Sequence, residues 1–180
     1  MDMNNEVQQL KENGFQGFKT IAELRKKKSL FSRQQNMHDE IPKQQGVYVV
    51  LYGKEVKPTF LEEGTGGFFK GKNPNVSIEE LEQKWVEDSS VLYIGKAGGS
   101  GIKATLNSRL TQYLEFGLGR NIGHWGGRYI WQLADAEDLI ICWKETTEEP
   151  DDVESRMIDD FKRAHEGKLP FANIKIGSHV

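Results

Sequence analysis

A glutamate near the end of the chain occupies a position that suggests a role in binding a cation. When the residues from 150 onwards are placed at steps of about 100°, apolar side chains gather on one arc, made by Val153, Met157, Ile158, Phe161 and Ala164. Glu154 falls inside this arc. A carboxylate turned inward costs free energy unless a cation meets it, so a metal ion or an arginine is expected nearby. The alternative is a residue of the first turn that only favours the helix dipole, and spacing alone leaves both open.

An arginine and a tyrosine form a second candidate functional site. Residues 105–116 predict an amphipathic helix whose buried stripe is Leu106, Leu110 and Leu114. Arg109 and Tyr113 are four residues apart and therefore neighbours along one edge of that helix. A guanidinium there can bind a phosphate through two parallel hydrogen bonds, with the tyrosine holding it in place. The alternative is that both residues simply lie at the edge of an amphipathic helix and have no functional role.

Two further tyrosines lie in β-branched, apolar segments that predict strands, 46–52 (GVYVVLY) and 91–95 (VLYIG). Alternation places Tyr48 opposite Val47, Val49 and Leu51, and Tyr93 opposite Leu92 and Ile94. If the two strands pair, both tyrosines project from one face of the sheet. Gly95 then permits a sharp turn that directs Lys96 towards the same region, although aromatic strand residues often serve only the core.

The elements that must position these residues follow from pattern and from caps. Thr20 with Glu23, and Ser77 with Glu80, are capping boxes that begin helices. The sequence predicts two short helices in the first 40 residues, a loop at 53–76, helices at 77–87, 105–116 and from Pro150 to about Gly167, and strands at 46–52, 91–95, 128–134 and 138–145. This order is typical of an α+β fold with a small, mostly antiparallel sheet.

Composition narrows the class of protein. The 180 residues have 37% hydrophobic and 28% charged residues, and no apolar run approaches the roughly 20 residues of a membrane span. One cysteine, Cys142, and the lack of a leader-like N-terminus predict a cytoplasmic protein without disulfides. The net charge is −3, yet residues 11–33 and 96–128 are basic whereas 134–166 are acidic. The two basic segments therefore favour local contact with an anion over nucleic-acid binding along the whole surface. The alternative is that they form solvent-exposed helix faces without a ligand.

These residues, in this order, resemble the GIY-YIG nuclease superfamily, which includes phage homing endonucleases, some restriction enzymes and the 3′-incising module of bacterial excision repair. The resemblance rests on Gly46-Val47-Tyr48, on Tyr93-Ile94-Gly95, on Arg109 with Tyr113, on Glu154 before Met157-Ile158, and on Pro170 to Asn173. It spans about residues 42–176. Each tripeptide is common alone, whereas the ordered set is fairly specific.

The resemblance implies a three-stranded antiparallel sheet flanked by helices and a metal-dependent endonuclease acting on DNA. Glu154 would be the single protein ligand of Mg²⁺ or Mn²⁺, and Arg109 would bind the scissile phosphate. Tyr48 would be the general base for a water molecule, assisted by Tyr93 or Tyr113, with Lys96 and Arg109 lowering its pKa. Gly95, Lys96 and Asn173 would bind the substrate, Asn173 as a supporting hydrogen-bonding residue.

The chain departs from the family pattern in its connections. Tyr48 and Tyr93 are 45 positions apart, which implies an insertion at 53–90 with its own helix. We therefore expect a basic helical extension at 1–40 and a catalytic domain at 41–180. No zinc finger or helix-turn-helix is evident, so target choice is expected from the extension and the insertion. The segment 124–128, which includes His124 and Arg128, is expected to end a loop rather than to touch phosphate.

Other functions remain as alternatives. No Walker-type phosphate loop and no serine-hydrolase elbow is present in the sequence. The main alternative is a nucleic-acid-binding module of the same fold that has lost cleavage. RNA as a substrate, the DNA target, the pathway and the oligomeric state, including a dimer on duplex DNA, are left open by the sequence, and the basic cluster at 25–28 could instead bind a protein.

Overall fold

The computed structural model describes residues 3–26 and 40–174, which form an α+β fold. Its helices are α1 (Met3–Glu12), α2 (Ile21–Arg25), α3 (Ile78–Lys84), α4 (Leu106–Phe116) and α5 (Pro150–Ala164). Its strands are β1 (Gln16–Thr20), β2 (Gly46–Leu51), β3 (Val91–Ala97) and β4 (Ile140–Glu145). Three short 3₁₀ helices lie at Phe69–Gly71, Arg128–Gln132 and Ala136–Asp138. None of the helices in these described ranges is both long enough and apolar enough to cross a membrane.

The sheet is antiparallel, and its strands lie in the order β1-β4-β2-β3. The expected number of three strands is wrong by one, because β1 comes from the N-terminal segment for which only helices were predicted. This strand is short and irregular, with positive φ at Gly17 and Phe18 and a register shift opposite β4. Such a segment has no alternating apolar pattern that a sequence analysis can detect.

Both faces of the sheet are covered by helices. Tyr48, Val50 and Tyr93 pack on the side of α2 and α4, whereas the alternate residues of β2, with Ile94 and Cys142, pack on the side of α1 and α5. Every residue of β2 is buried, as expected for a strand with two covered faces. The result is a three-layer arrangement in which helices cover both faces of the sheet.

The insertion packs against the segment before β4. The buried side chain of Gln132 accepts a hydrogen bond from the Val76 backbone at 2.9 Å and donates to the carbonyls of Leu61 and Val76, each at 2.9 Å. Residues 128–134 were predicted as a strand, but Arg128–Gln132 form a 3₁₀ helix, and within the predicted strand only Leu133 makes a bridge, to Phe60. Their aromatic side chains are buried, and a short apolar run does not distinguish a strand from a buried helical turn.

The N-terminal segment joins the rest of the fold through buried polar contacts. The Glu6 carboxylate of α1 accepts hydrogen bonds from Ser89 Oγ at 2.7 Å and from the Ser90 backbone at 2.6 Å. Arg25 donates to the Leu114 carbonyl at 2.7 Å and forms an ion pair with Glu137. This arginine of the basic cluster at 25–28 therefore stabilises packing, while positions 27 and 28 lie outside the described residues.

Candidate active site

Three tyrosines meet on one face of the sheet. In the register of the strands, Tyr48 lies between Gly95 of β3 and Trp143 of β4. The ring centroids of Tyr48 and Tyr93 are 6.0 Å apart, and those of Tyr93 and Tyr113 are 5.6 Å apart. All three rings are buried. The prediction that Tyr48 and Tyr93 share a face is confirmed, and α4 adds Tyr113 to them.

The predicted alternation fails at one residue of β3. Leu92 packs in the same cluster as Tyr93, not on the opposite face with Ile94. The register shifts here, because Val50 pairs with Tyr93 whereas Leu51 pairs with Val91. Leu92 is therefore the extra residue of a β-bulge, which breaks the alternation of side chains while keeping Tyr93 on the site side.

Gly95 gives Tyr48 its place. A Cβ added to Gly95 would lie 2.5 Å from Cζ of Tyr48, so the phenol ring crosses the strand where a side chain is absent. The sharp turn predicted at Gly95 is wrong, because β3 continues to Ala97. Gly95 was also predicted to bind substrate. In the structure its visible effect is on the position of Tyr48, and contact with a substrate stays a prediction.

A buried histidine completes the tyrosine cluster. His124 is 0% exposed, and its ring stacks on Tyr113 with centroids 4.1 Å apart. Its Nδ1 lies 2.9 Å from the Gly126 carbonyl, an acceptor, so Nδ1 carries the proton. Nε2 is then an acceptor for the Tyr48 hydroxyl at 3.1 Å. Burial lowers the pKa of His124 to about 3, so the imidazole is neutral.

This position of His124 was not predicted from the sequence, from which the residue was expected only to end a loop. The available signal was the pair of glycines that follows. A Cβ on Gly126 would lie 3.0 Å from the Tyr93 hydroxyl, and Gly127 has positive φ and accepts a hydrogen bond from the Tyr113 hydroxyl at 2.5 Å. Glycines let this loop approach the tyrosines closely. Arg128 lies where this loop ends and the 3₁₀ helix begins, and its guanidinium lies 4.3 Å from the centroid of the Trp125 ring.

Arg109 lies on α4 beside the cluster and is only partly buried. Its Nη1 makes two long hydrogen bonds, to Gln112 Oε1 at 3.3 Å and to the Gly123 carbonyl at 3.4 Å. Its positive charge lowers the pKa values of Tyr48, Tyr93 and Glu154. The guanidinium is thus within electrostatic reach of every predicted catalytic group and is weakly held by the protein.

Glu154 is partly buried on α5, as its place in the apolar arc predicts. Among the residues described, no side chain donates a hydrogen bond to its carboxylate. The pKa of Glu154 is raised to about 7: burial is the largest cause and the nearby charge of Asp151 adds to the rise, while Lys96 and Arg109 oppose it. Lys96 is itself paired with Asp151, with Nζ 2.9 Å from Oδ1. The positive charges of Lys96 and Arg109 therefore offset only part of the cost of burying the Glu154 carboxylate.

Burial acts against the tyrosines as bases. It raises the pKa of Tyr93 to about 12 and that of Tyr48 well above its ordinary value. Arg109 lowers the pKa of Tyr48, as expected, but less than burial raises it, and Lys96 is engaged with Asp151 instead. Each tyrosine is therefore a neutral phenol in this structure, able to donate a hydrogen bond.

Asn173 holds the outer edge of β3. Its Oδ1 accepts from the Ile94 backbone N–H and its Nδ2 donates to the Ile94 carbonyl, both at 2.9 Å. The backbone of Ala172 adds a hydrogen bond to the Leu92 carbonyl at 2.7 Å. This segment covers an otherwise free strand edge. Asn173 thus fixes the position of β3 and with it Tyr93, while its predicted contact with substrate stays a prediction.

The donor set suits a metal that is held by few protein groups. Within residues 3–26 and 40–174, no three His, Cys, Asp or Glu side chains come together as a closed metal site requires. Mg²⁺ commonly binds one or two carboxylates and keeps water and substrate phosphate as its other ligands. A partly buried carboxylate without a hydrogen-bond donor fits that arrangement.

Comparisons of this chain with models of protein families, with curated proteins and with solved structures found no match.

Proposed function

We propose that this protein is a metal-dependent endonuclease of the GIY-YIG type that hydrolyses DNA phosphodiester bonds. The observation that carries the proposal is the Glu154 carboxylate, which is partly buried, has no hydrogen-bond donor among the described side chains and has a pKa of about 7. The charge of Arg109 lowers the pKa of Glu154, and the charge of Glu154 raises the pKa of Tyr93. A carboxylate in such a state is characteristic of a functional site.

Arg109 binds the scissile phosphate in this proposal. Its guanidinium presents several donors in a plane and makes only long hydrogen bonds to the protein, so it can exchange them for phosphate oxygens. Its charge then stabilises the negative charge that grows on the phosphate in the transition state. Glu154 would hold Mg²⁺ or Mn²⁺, and the metal would supply stabilisation of the negative charge that develops on the leaving group.

Tyr48 orients the attacking water, and His124 orients Tyr48. The phenol hydroxyl donates to the neutral Nε2 of His124 at 3.1 Å, which leaves a lone pair of the phenol oxygen to accept a hydrogen bond from water. Because burial raises the pKa of Tyr48, a stored tyrosinate is disfavoured. Burial also lowers the pKa of His124 to about 3, so the imidazole stays neutral and the proton of the attacking water is released to solvent.

Cleavage of supercoiled plasmid and of branched DNA by purified protein tests the proposal. We expect nicking with Mg²⁺ or Mn²⁺ and none with EDTA. Glu154→Gln should abolish it, whereas Asp152→Asn, a change at an exposed acid of the same helix, should not. Cleavage that survives in Glu154→Gln would refute the assigned ligand. Salt-sensitive DNA binding without any cleavage would favour the inactive binding module instead.

The pH dependence of metal binding offers a second prediction. Glu154 must lose its proton before it binds Mg²⁺, so the affinity should fall about tenfold for each pH unit below its pKa of about 7. Asp151 raises this pKa and Lys96 lowers it. Asp151→Asn should therefore shift the midpoint to lower pH, and Lys96→Met to higher pH, each by roughly one pH unit.

Titration calorimetry with Mn²⁺ between pH 5.5 and 8.5 measures these midpoints. The two variants serve as controls for each other, since both break the same ion pair. Shifts in the same direction would mean that loss of the ion pair, and not the charge near Glu154, controls metal binding.

A further inference from the structure

Two loops beside the candidate site expose large apolar side chains. Phe68 is 54% exposed and Leu118 is 47% exposed. The loops that carry them, 65–72 and 117–123, lie against each other: Asn121 Oδ1 accepts a hydrogen bond from the Lys70 backbone at 3.1 Å, and Gly67 approaches the Arg120 carbonyl so closely that a Cβ would overlap it. We call this pair of loops the aromatic shelf. Exposed apolar surface of this kind commonly marks a binding site.

The shelf is continuous with the candidate active site. Arg109 donates to the Gly123 carbonyl at 3.4 Å, and the Phe69 ring lies so close to Gly123 that a Cβ would be 3.1 Å from its Cζ. One loop of the shelf thus touches the arginine that is proposed to bind the scissile phosphate. A nucleic-acid segment that runs from that phosphate past Arg109 towards Gly123 would therefore contact the shelf.

The charges of the shelf suit a polyanion. Lys70 and Lys72 are exposed on the same loop as Phe68, and the Lys70 ammonium lies 5.3 Å from the Phe69 ring centroid. The exposed Arg120 is paired with Glu115. Lysines beside an exposed aromatic ring are the combination by which proteins hold single-stranded nucleic acid, with the backbone on the cations and a base on the ring.

We propose that the aromatic shelf binds an unpaired DNA segment next to the scissile phosphate, with Phe68 stacked on a base. This inference rests on the proposed function, and it names the substrate class of the same site. A fully paired duplex offers no free base face, so the shelf favours DNA with a flap, a bulge or a single-stranded end near the cut.

Binding measurements in EDTA on the Glu154→Gln protein test the shelf without cleavage. The probes are a labelled duplex with a single-stranded flap and the same duplex fully paired. Adding Phe68→Ala should weaken flap binding roughly 5- to 100-fold, the range for loss of one base–aromatic stack, and leave the paired duplex unchanged. Phe68→Trp should restore flap binding. Val56→Ala is the matched control, since Val56 is 70% exposed in the insertion but lies outside both loops.

The outcomes separate this inference from the nuclease proposal, which wild-type cleavage tests in parallel. Equal flap binding by the Phe68→Ala and Val56→Ala proteins would overturn the shelf even if wild-type protein cleaves. Equal weakening on both duplexes would overturn the preference for unpaired DNA, and tighter binding of a matched RNA flap would overturn DNA as the ligand. A selective Phe68 effect without wild-type cleavage would support the shelf and contradict the nuclease.

Discussion

Replacing Arg109 by alanine is expected to lower the single-turnover rate of DNA cleavage by roughly 100- to 1,000-fold, the usual cost of removing one preorganised donor from a charged transition state. The expectation follows from the geometry of α4. The guanidinium borders the tyrosine cluster, its charge acts on Tyr48, Tyr93 and Glu154, and its hydrogen bonds to the protein are long. Little stability should be lost with it.

Two comparisons make this prediction specific. Arg109→Lys keeps the charge but loses the planar pair of donors, so its rate should lie between those of the wild type and the alanine variant. Arg156→Ala removes an exposed arginine that pairs with Glu148, and its rate should match the wild type. Rates measured at saturating protein exclude weaker DNA binding as the cause. A lysine variant as slow as the alanine variant would mean that orientation, not charge, is what Arg109 supplies, and a fast alanine variant would remove it from the site.

The periodic elements of the site follow from the sequence. The leucine stripe of α4, the inward place of Glu154 on α5 and the common face of Tyr48 and Tyr93 are all read from spacing, because a buried face imposes a period of 3.6 or 2 on its residues. The structure confirms each of them. The capping box at Thr20 is confirmed, whereas at Ser77 only the cap on the backbone of Glu80 is confirmed. The carboxylate of Glu80 accepts a hydrogen bond from the Tyr129 hydroxyl instead of closing the predicted box.

What the sequence could not provide depends on contacts between distant segments. His124 lies in a loop, where no period exists, and its role comes from a hydrogen bond to Tyr48, 76 positions away. The fourth strand depends on pairing between Gln16–Thr20 and β4, and the 3₁₀ helix at Arg128–Gln132 on packing against the insertion. In each case tertiary contacts override local preference, which is weak over five residues.

Glu154→Gln is expected to make the metal-free protein more stable at pH 8, even though it abolishes the proposed activity. The pKa of Glu154 is about 7 in the folded chain, above its ordinary 4.5, so the folded state prefers the protonated form. Stability is therefore undiminished below pH 4.5, falls as the pH rises to 7, and stays low above it. Glutamine is always neutral and escapes this penalty, which we expect to be about 2–3 kcal/mol at pH 8.

Urea unfolding and thermal melts with EDTA measure this difference. At pH 8 the variant should melt roughly 5–10 °C above the wild type, as expected for a chain of this length. At pH 4 the two proteins should unfold together, because the carboxyl is protonated in both states. Asp152→Asn on the exposed face of α5 controls for the general effect of removing one negative charge from an acidic helix.

Magnesium should narrow the difference in stability between the two proteins at pH 8. A ligand that binds only the folded state stabilises it in proportion to the logarithm of its concentration, and Glu154 is the proposed protein ligand. Millimolar Mg²⁺ should therefore raise the melting temperature of the wild type and leave that of Glu154→Gln unchanged. If the variant is no more stable than the wild type in EDTA, the carboxylate is not desolvated as its surroundings indicate. If Mg²⁺ stabilises both proteins equally, the metal binds elsewhere, and the one-carboxylate site is wrong.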